Sequence, residues 1–337
     1  NGSSQAITGL GFQPDMVWIW GQNTTHASVY DSIRGATSGY YNRLIDFATN
    51  QEQVGGVITD SITSFDSDGF TVNSAGSGSK VNDTSDKYVA TAWYIGGSAT
   101  TNTDGDIQSS VIVNQDLGIS IGTYTGNGQT SRQTIGHGLG EIPDMILAKK
   151  RTVSTGAWQC KMVDMEAASV NSTITPGQAG VRYDSVADFS GGGLAGLSTT
   201  TTFGVQGGTS NGNNLNQNTA SNVFYAFAER TGFSKFSSYR GSGQTDGPYI
   251  PCGSKPEYVF LYGISNSSYG AYTFIPNAFS DIDIDGRGIL YLEGNSNVTN
   301  PFVLIDSNGF MLTTSSSTFP AGNTAGNLYV FWAWASA

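Results

Sequence analysis

Apolar residues in this chain fall in short runs bounded by Gly, Asn, Asp, Ser or Pro, and the runs recur in the same order three times. A Pro, an acidic residue and an apolar run mark each copy: Pro14-Asp15-Met16-Val17-Trp18-Ile19, Pro143-Asp144-Met145-Ile146-Leu147 and Pro256-Glu257-Tyr258-Val259-Phe260-Leu261. An aromatic run closes each copy, as Tyr88-Val89-Ala90-Thr91-Ala92-Trp93, Val223-Phe224-Tyr225-Ala226-Phe227 and Tyr329-Val330-Phe331-Trp332-Ala333-Trp334. Runs of this length between turn residues predict strands rather than helices. Phe70 and Val72, like Phe310 and Leu312, alternate with polar or flexible neighbours, as a strand with one buried face does. Just ahead of them, Asp66-Ser67-Asp68-Gly69 and Asp306-Ser307-Asn308-Gly309 carry the glycine and side-chain acceptors of a hairpin turn. The middle copy keeps only Phe203-Gly204-Val205 of this element. The one helical candidate, from Asp31 to Phe47, is interrupted by Gly35 and Gly39, so it predicts a loop or a single short helix.

A turn block precedes the Pro strand in two copies, as Tyr124-Thr125-Gly126-Asn127-Gly128-Gln129-Thr130 and Tyr239-Arg240-Gly241-Ser242-Gly243-Gln244-Thr245. In the first copy it is clipped and starts at Asn1-Gly2-Ser3-Ser4. One sheet of that copy is therefore expected to lack its opening strand, a gap to be filled by upstream residues or by a neighbouring subunit. The pattern predicts an all-β chain of three tandem antiparallel β-sandwiches, jelly-roll-like in form, over residues 1–97, 118–232 and 233–337. A polar linker, residues 98–117, joins the first two and contains a short β-like run, Val111-Ile112-Val113. The join between the second and third is short enough to predict close packing. Pro14, Pro143 and Pro256 should stand at equivalent strand starts, with Trp18, Leu147 and Phe260 in equivalent cores.

Composition agrees with many strands and tight turns: 45 glycines, 12% charged residues and few long runs of helix formers. Glycine has no three-residue period, and 38% hydrophobic with 12% aromatic residues can support packed cores, which excludes collagen and disorder. A net charge of −11 argues against nucleic acid as a partner, because phosphate binding needs clustered Lys and Arg. The one basic run, Lys149-Lys150-Arg151, reads as a solvated loop edge. Cys160 and Cys252 occupy non-equivalent positions and read as buried free thiols. No apolar stretch of membrane-spanning length and no signal-peptide pattern is visible, so membrane insertion is not expected.

Gly11-Phe12-Gln13-Pro14-Asp15-Met16-Val17-Trp18-Ile19, Tyr30-Asp31-Ser32-Ile33-Arg34-Gly35-Ala36-Thr37, Ser64-Phe65-Asp66-Ser67-Asp68-Gly69-Phe70 and Gly136-His137-Gly138-Leu139-Gly140 with Pro143 resemble a family of repeat-bearing virion proteins of marine and cyanobacterial tailed phages. The resemblance covers essentially the whole chain and implies a structural part of a virion, such as a tail fibre, appendage or capsid decoration. It brings no catalytic residues with it.

The residues themselves supply little for catalysis. His26 and His137 are the only histidines, and His137 lies in a glycine-rich turn, where a solvent-exposed role outweighs that of a triad base. No nucleophile elbow, phosphate loop or zinc-spaced ligand set is visible. Asp281, Asp283 and Asp285, in Asp281-Ile282-Asp283-Ile284-Asp285-Gly286, form a candidate calcium site, although Glu293 lies one position beyond the expected bidentate acid. A solvated acidic strand edge is the reading weighed above it. Tyr41, Tyr269 and Tyr272, near Asn and Asp, are candidate stacking platforms for a glycan. The expected function is that of a non-enzymatic virion structural protein, located in the virion or outside cells. Its expected partners are other virion proteins or copies of itself, and host-surface glycan. The alternatives are a glycan-binding adhesin and, third, a glycan-degrading enzyme.

Overall fold

The structure, a computed structural model, describes residues 3–21, 28–45, 51–73, 79–84, 86–152, 158–162, 173–174, 193–195, 198–207, 214–263, 271–276, 287–291, 303–312 and 323–336. It is all-β, with no helix among those residues. The first copy contains β1 (Gln5–Thr8), β2 (Met16–Gly21), β3 (Ser28–Asp31), β4 (Ala36–Thr37), β5 (Tyr40–Tyr41), β6 (Leu44–Ile45), β7 (Ile62–Asp66), β8 (Gly69–Val72) and β9 (Tyr88–Trp93). The second contains β10 (Thr100–Asn102), β11 (Ser109–Asn114), β12 (Ile119–Thr125), β13 (Arg132–Gly136), β14 (Met145–Lys150), β15 (Gln159–Met162), β16 (Thr173–Ile174), β17 (Gly193–Leu194), β18 (Thr202–Gln206) and β19 (Ser221–Phe227). The third contains β20 (Ser234–Arg240), β21 (Tyr249–Pro251), β22 (Tyr258–Gly263), β23 (Ala271–Pro276), β24 (Arg287–Tyr291), β25 (Val303–Asp306), β26 (Gly309–Leu312) and β27 (Leu328–Trp334).

Each copy has a small and a larger antiparallel sheet, and the first has in addition the two-stranded pair β4-β5. The small sheets have three strands each, in the orders β1-β8-β7, β13-β18-β17 and β21-β26-β25. The larger sheets run β6-β3-β2-β9, β10-β11-β12-β19-β14-β15-β16 and β20-β27-β22-β23-β24. Register makes the copies comparable residue by residue. Met16 faces Trp93, Met145 faces Phe227 and Tyr258 faces Trp334. Pro14, Pro143 and Pro256 each lie just ahead of these strands, where a missing N–H costs no ladder bond. Ile7 faces Phe70, Ile135 faces Phe203 and Ile250 faces Phe310, so Phe203 is the middle counterpart of the two hairpin phenylalanines.

Successive strand residues point to opposite faces, and both faces of the larger sheets are apolar. One face packs on the copy's own small sheet, as Val17 and Ile19 do with Ile62 and Phe70. Ile146 and Phe203 share the corresponding core of the second copy, and Val259 and Phe310 that of the third. The other face is where the copies meet. Trp18, Leu147 and Phe260, at equivalent positions, belong to a single cluster that draws on all three copies. Trp93 and Trp334 meet edge-on at 5.8 Å, joining first to third, and Phe227 and Trp334 do so at 5.6 Å, joining second to third. Phe260 stands nearly perpendicular to Trp332 at 4.2 Å. Edge-to-face contacts of this kind are the favoured geometry for aromatic rings.

The larger sheets of all three copies share one core, so the close packing expected of the second and third copies extends to the first. Residues 98–117, expected as a linker, supply β10 and β11, which extend the second copy's larger sheet. The stretch from Asp31 to Phe47 forms no helix among its described residues. Gly35 and Gly39 take φ of 65° and 82°, and β4 turns back on β5 between them and Asn42. Among the described residues, β9 stands at one end of the first copy's larger sheet.

A repeated asparagine ties the turn blocks down. Asn82, Asn216 and Asn323 are buried at equivalent positions ahead of β9, β19 and β27. Their amide groups donate to the carbonyls of Ser3, Gln129 (2.9 Å) and Gln244 (2.7 Å) respectively. Beside this bond the backbones come so close that a Cβ on Gly126 or Gly241 would lie 2.3 or 2.2 Å from a carbonyl oxygen, which is why both turn blocks carry glycine there.

The shared core predicts cooperative loss of all three copies. Trp332→Ala should cost about 3–5 kcal/mol and leave a single transition. Urea denaturation followed by tryptophan fluorescence and by far-UV circular dichroism checks this, with coincident curves expected.

Candidate functional site

The densest set of buried charges lies where the first and second copies meet. Asp31, the last residue of β3, turns the chain by accepting the Arg34 N–H at 2.9 Å, which brings the guanidinium back over the strand. Arg34 Nε then donates to Asp31 Oδ2 at 2.6 Å, and its remaining arms reach the carbonyls of Val29 and Asn42 and Glu52 Oε1 at 3.0 Å. Glu52 also receives a fork from Arg151 of the second copy, with Nε at 3.0 Å and a terminal nitrogen at 2.7 Å. The Glu52 N–H donates to the Arg151 carbonyl at 2.8 Å, so backbone and side chain both cross the seam. Tyr225 of β19 completes the bridge by donating its hydroxyl to Asp31 Oδ2 at 2.6 Å.

Electrostatics hold Arg34 charged and Tyr225 protonated. Burial would lower the Arg34 pKa, but Asp31, Tyr225 and Glu52 more than offset that and hold the guanidinium charged. Burial, opposed by Arg34 and reinforced by Asp31, pushes the Tyr225 phenol well up, so it remains a donor. Each carboxylate is spanned by a guanidinium, and the one phenol is protonated. Such a set holds two copies together, because a pair whose remaining donors and acceptors are satisfied is costly to break.

Tyr225 stacks on Trp158 at 5.9 Å, and the Lys149 ammonium lies 5.9 Å above the same indole. Lys149 and Lys150 are fully buried, which corrects the reading of a solvated loop edge. The physical reason is register: β14 runs on through both lysines. Lys149 occupies the shared-core position that Trp20 and Tyr262 hold in the other copies, and Lys150 that of Gly21 and Gly263. Their aliphatic stems take the place of apolar side chains. Lys150 Nζ donates to Gln217 at 2.8 Å. Burial, with Lys150 nearby, brings the Lys149 pKa down to about 7, and burial, with Arg132 adding to it, brings Lys161 down to about 8.

Beside the seam an open groove of about 460 Å³ is lined by Thr101, Ser109, Ser110, Thr123, Ser221 and Arg151. It offers hydroxyls and one guanidinium engaged by Glu52, beside the apolar Ile107 and the ring of Tyr124.

The residues picked out in the sequence fall elsewhere. His137 is fully buried, which corrects the expectation of a solvent-exposed turn histidine. Its Nδ1 accepts the Leu139 N–H at 3.2 Å and its Nε2 faces the Thr199 carbonyl at 3.1 Å, so the neutral ring brackets two turns. Burial lowers its pKa. Tyr41 is half-buried with its ring 4.5 Å from that of Phe65, on the far side of the first copy's own core. Tyr272 lies on β23 opposite Leu261. Tyr269, Asp281, Asp283 and Asp285 lie outside the described residues. Among those described, no group of three or more His, Cys, Asp or Glu residues could hold a metal ion. Cys160 and Cys252 are buried free thiols, as read from their positions. Sequence reasoning missed Glu52, Arg151 and Tyr225 as partners. No local motif joins them to Asp31 and Arg34, which lie in a different stretch of the chain.

A family profile described as a domain of unknown function, DUF7483, matches residues 1–337. The chain belongs to the DUF7483 family. Comparison with curated proteins and with solved structures returned no match. The family match runs across all three copies and the seam between the first two.

Two outcomes test the seam. Glu52→Gln should destabilise the protein by about 3–5 kcal/mol, the usual cost of removing one partner from a buried pair, as read by urea denaturation. The lysines give the second. Lys149 and Lys161 titrate lower in the folded chain than in the unfolded one, where lysine keeps its ordinary value of about 10.4. Between about pH 7 and that value the unfolded chain binds more protons, so their contribution to stability should rise with pH and be lost as pH falls through the folded values. Lys149→Met should flatten that slope and raise the urea midpoint at pH 7, and a steeper slope would contradict it.

Proposed function

We propose that this chain is a non-enzymatic structural protein of a virion, a tail-fibre, appendage or capsid-decoration component that works by assembly. In this reading its three copies are tandem antiparallel β-sandwiches, jelly-roll-like in form, and its partners are other virion proteins or further copies of itself. The observation that carries the proposal is the single aromatic core shared by three equivalent sheets. It makes a stiff block whose buried charges are spent on joining the copies, as a part that must bear position rather than turn over substrate requires. The resemblance to repeat-bearing phage virion proteins supports the same reading.

A second reading, a glycan-binding adhesin, draws on the hydroxyl-lined groove beside Arg151, since hydroxyls and a guanidinium can hydrogen-bond sugar hydroxyls. Immunogold electron microscopy and peptide mass spectrometry of purified particles test the first reading. Labelling at a fixed place on the particle is expected. Recovery of the chain only as a free monomer, with no particle or filament density, would reject it. Retention on a host-surface glycan array, lost on Arg151→Ala, would support the second reading.

A further inference from the structure

We infer that His137 is an acid-sensitive latch on the second copy: protonating its ring releases the turn ahead of β14 from the turn between β17 and β18 and opens the small sheet at that end. This device goes beyond the assembly and glycan readings and depends on neither.

The latch replaces a fixed acceptor used elsewhere in the chain. By the register of the small sheets, Gly9, His137 and Cys252 are equivalent, each two residues after Ile7, Ile135 or Ile250. Each donates its N–H to a carbonyl of the facing turn, at Asp68, Thr201 and Asn308 respectively. Two residues further on, the first and second copies differ. The Gly11 N–H goes to Asp68 Oδ1 at 2.7 Å, whereas the equivalent Leu139 N–H goes to His137 Nδ1 at 3.2 Å. Thr201 stands where Asp68 stands and has no carboxylate to offer.

Geometry commits the ring to its neutral form. Because Nδ1 accepts, Nε2 carries the proton and donates to the Thr199 carbonyl at 3.1 Å. An imidazolium has donors on both nitrogens, so a second proton would set an N–H against the Leu139 N–H and place a charge at a fully buried site. The groups facing the ring do little to offset this. Thr199, Thr201 and Thr202 of the facing turn are uncharged, as are Ser109 of β11 and Ser120 of β12, whose hydroxyls donate to the Gly136 and His137 carbonyls. Asp104, exposed on the loop after β10, favours the proton, but burial opposes it more strongly. Asp106 of the same loop is engaged by Thr134, and Arg132 stands at the far end of β13.

Leu139 shares the second copy's own core with Ile135 and Phe203, so losing the acceptor for its N–H loosens the chain where the small sheet closes on that core. An imidazole that titrates freely in the open form but not in the closed one favours opening about tenfold for each pH unit below its ordinary value of about 6.5. The contribution of His137 to closure is therefore complete above that value and is lost as pH falls. The first copy's turn is tied without a histidine and keeps its bonds over that range.

Hydrogen–deuterium exchange of the intact chain at about pH 7.5 and about pH 5.5, one unit to either side of the ordinary histidine value, reads the latch once rates are corrected for intrinsic pH dependence. Protection of residues 132–139 and 199–206 should fall about tenfold relative to residues 5–11 and 65–72. His137→Asn, whose amide oxygen can still accept the Leu139 N–H but does not titrate, should abolish that fall. Should this variant not fold, the ring itself is the readout. Proton–carbon NMR of the wild-type chain, with His26→Gln assigning the other histidine, should show His137 as the Nε2–H tautomer with a midpoint below about 6.5. Equal relative protection at the two pH values, or an equal fall in His137→Asn, overturns the inference. So does a His137 ring that titrates at or above the ordinary value.

Discussion

Burial of one aromatic surface against two others is the constraint on which this structure depends. Each larger sheet carries apolar residues on both faces, and its small sheet covers only one of them. The uncovered face has to find a partner, because leaving a tryptophan-rich surface in water forgoes roughly 25 cal/mol for each Å². Equivalent faces from two other copies are the partners at hand in the same chain. Rings such as Trp93, Trp334 and Phe227 then interlock edge to face, which fixes the sheets relative to one another as well as burying them.

A shared core of this kind sets the cost of polar groups placed near it. Lys149 stands where Trp20 and Tyr262 stand in the other copies, so its charge is disfavoured and its pKa falls. At the seam, Asp31 and Glu52 each meet a guanidinium, and these acids help hold Arg34 charged. Burial disfavours a charge, and opposite charges within hydrogen-bond reach offset that cost. Among the described residues this network joins the first and second copies, which makes the block asymmetric although its sheets repeat.

The sequence alone determined the all-β class, the three copies, their Pro strand starts and the paired hairpins at Asp66 and Asp306. These follow from local chemistry: apolar run length, proline's missing donor and glycine's access to positive φ. The shared core, the burial of Lys149, Lys150 and His137, and the bridge from Glu52 to Arg151 were decided only by tertiary structure. A strand's pattern tells which residues share a face but not what that face meets, and a lysine after an apolar run looks the same in a loop as in a core. Partners as far apart as Asp31 and Tyr225 become neighbours only when three sheets have closed on one another.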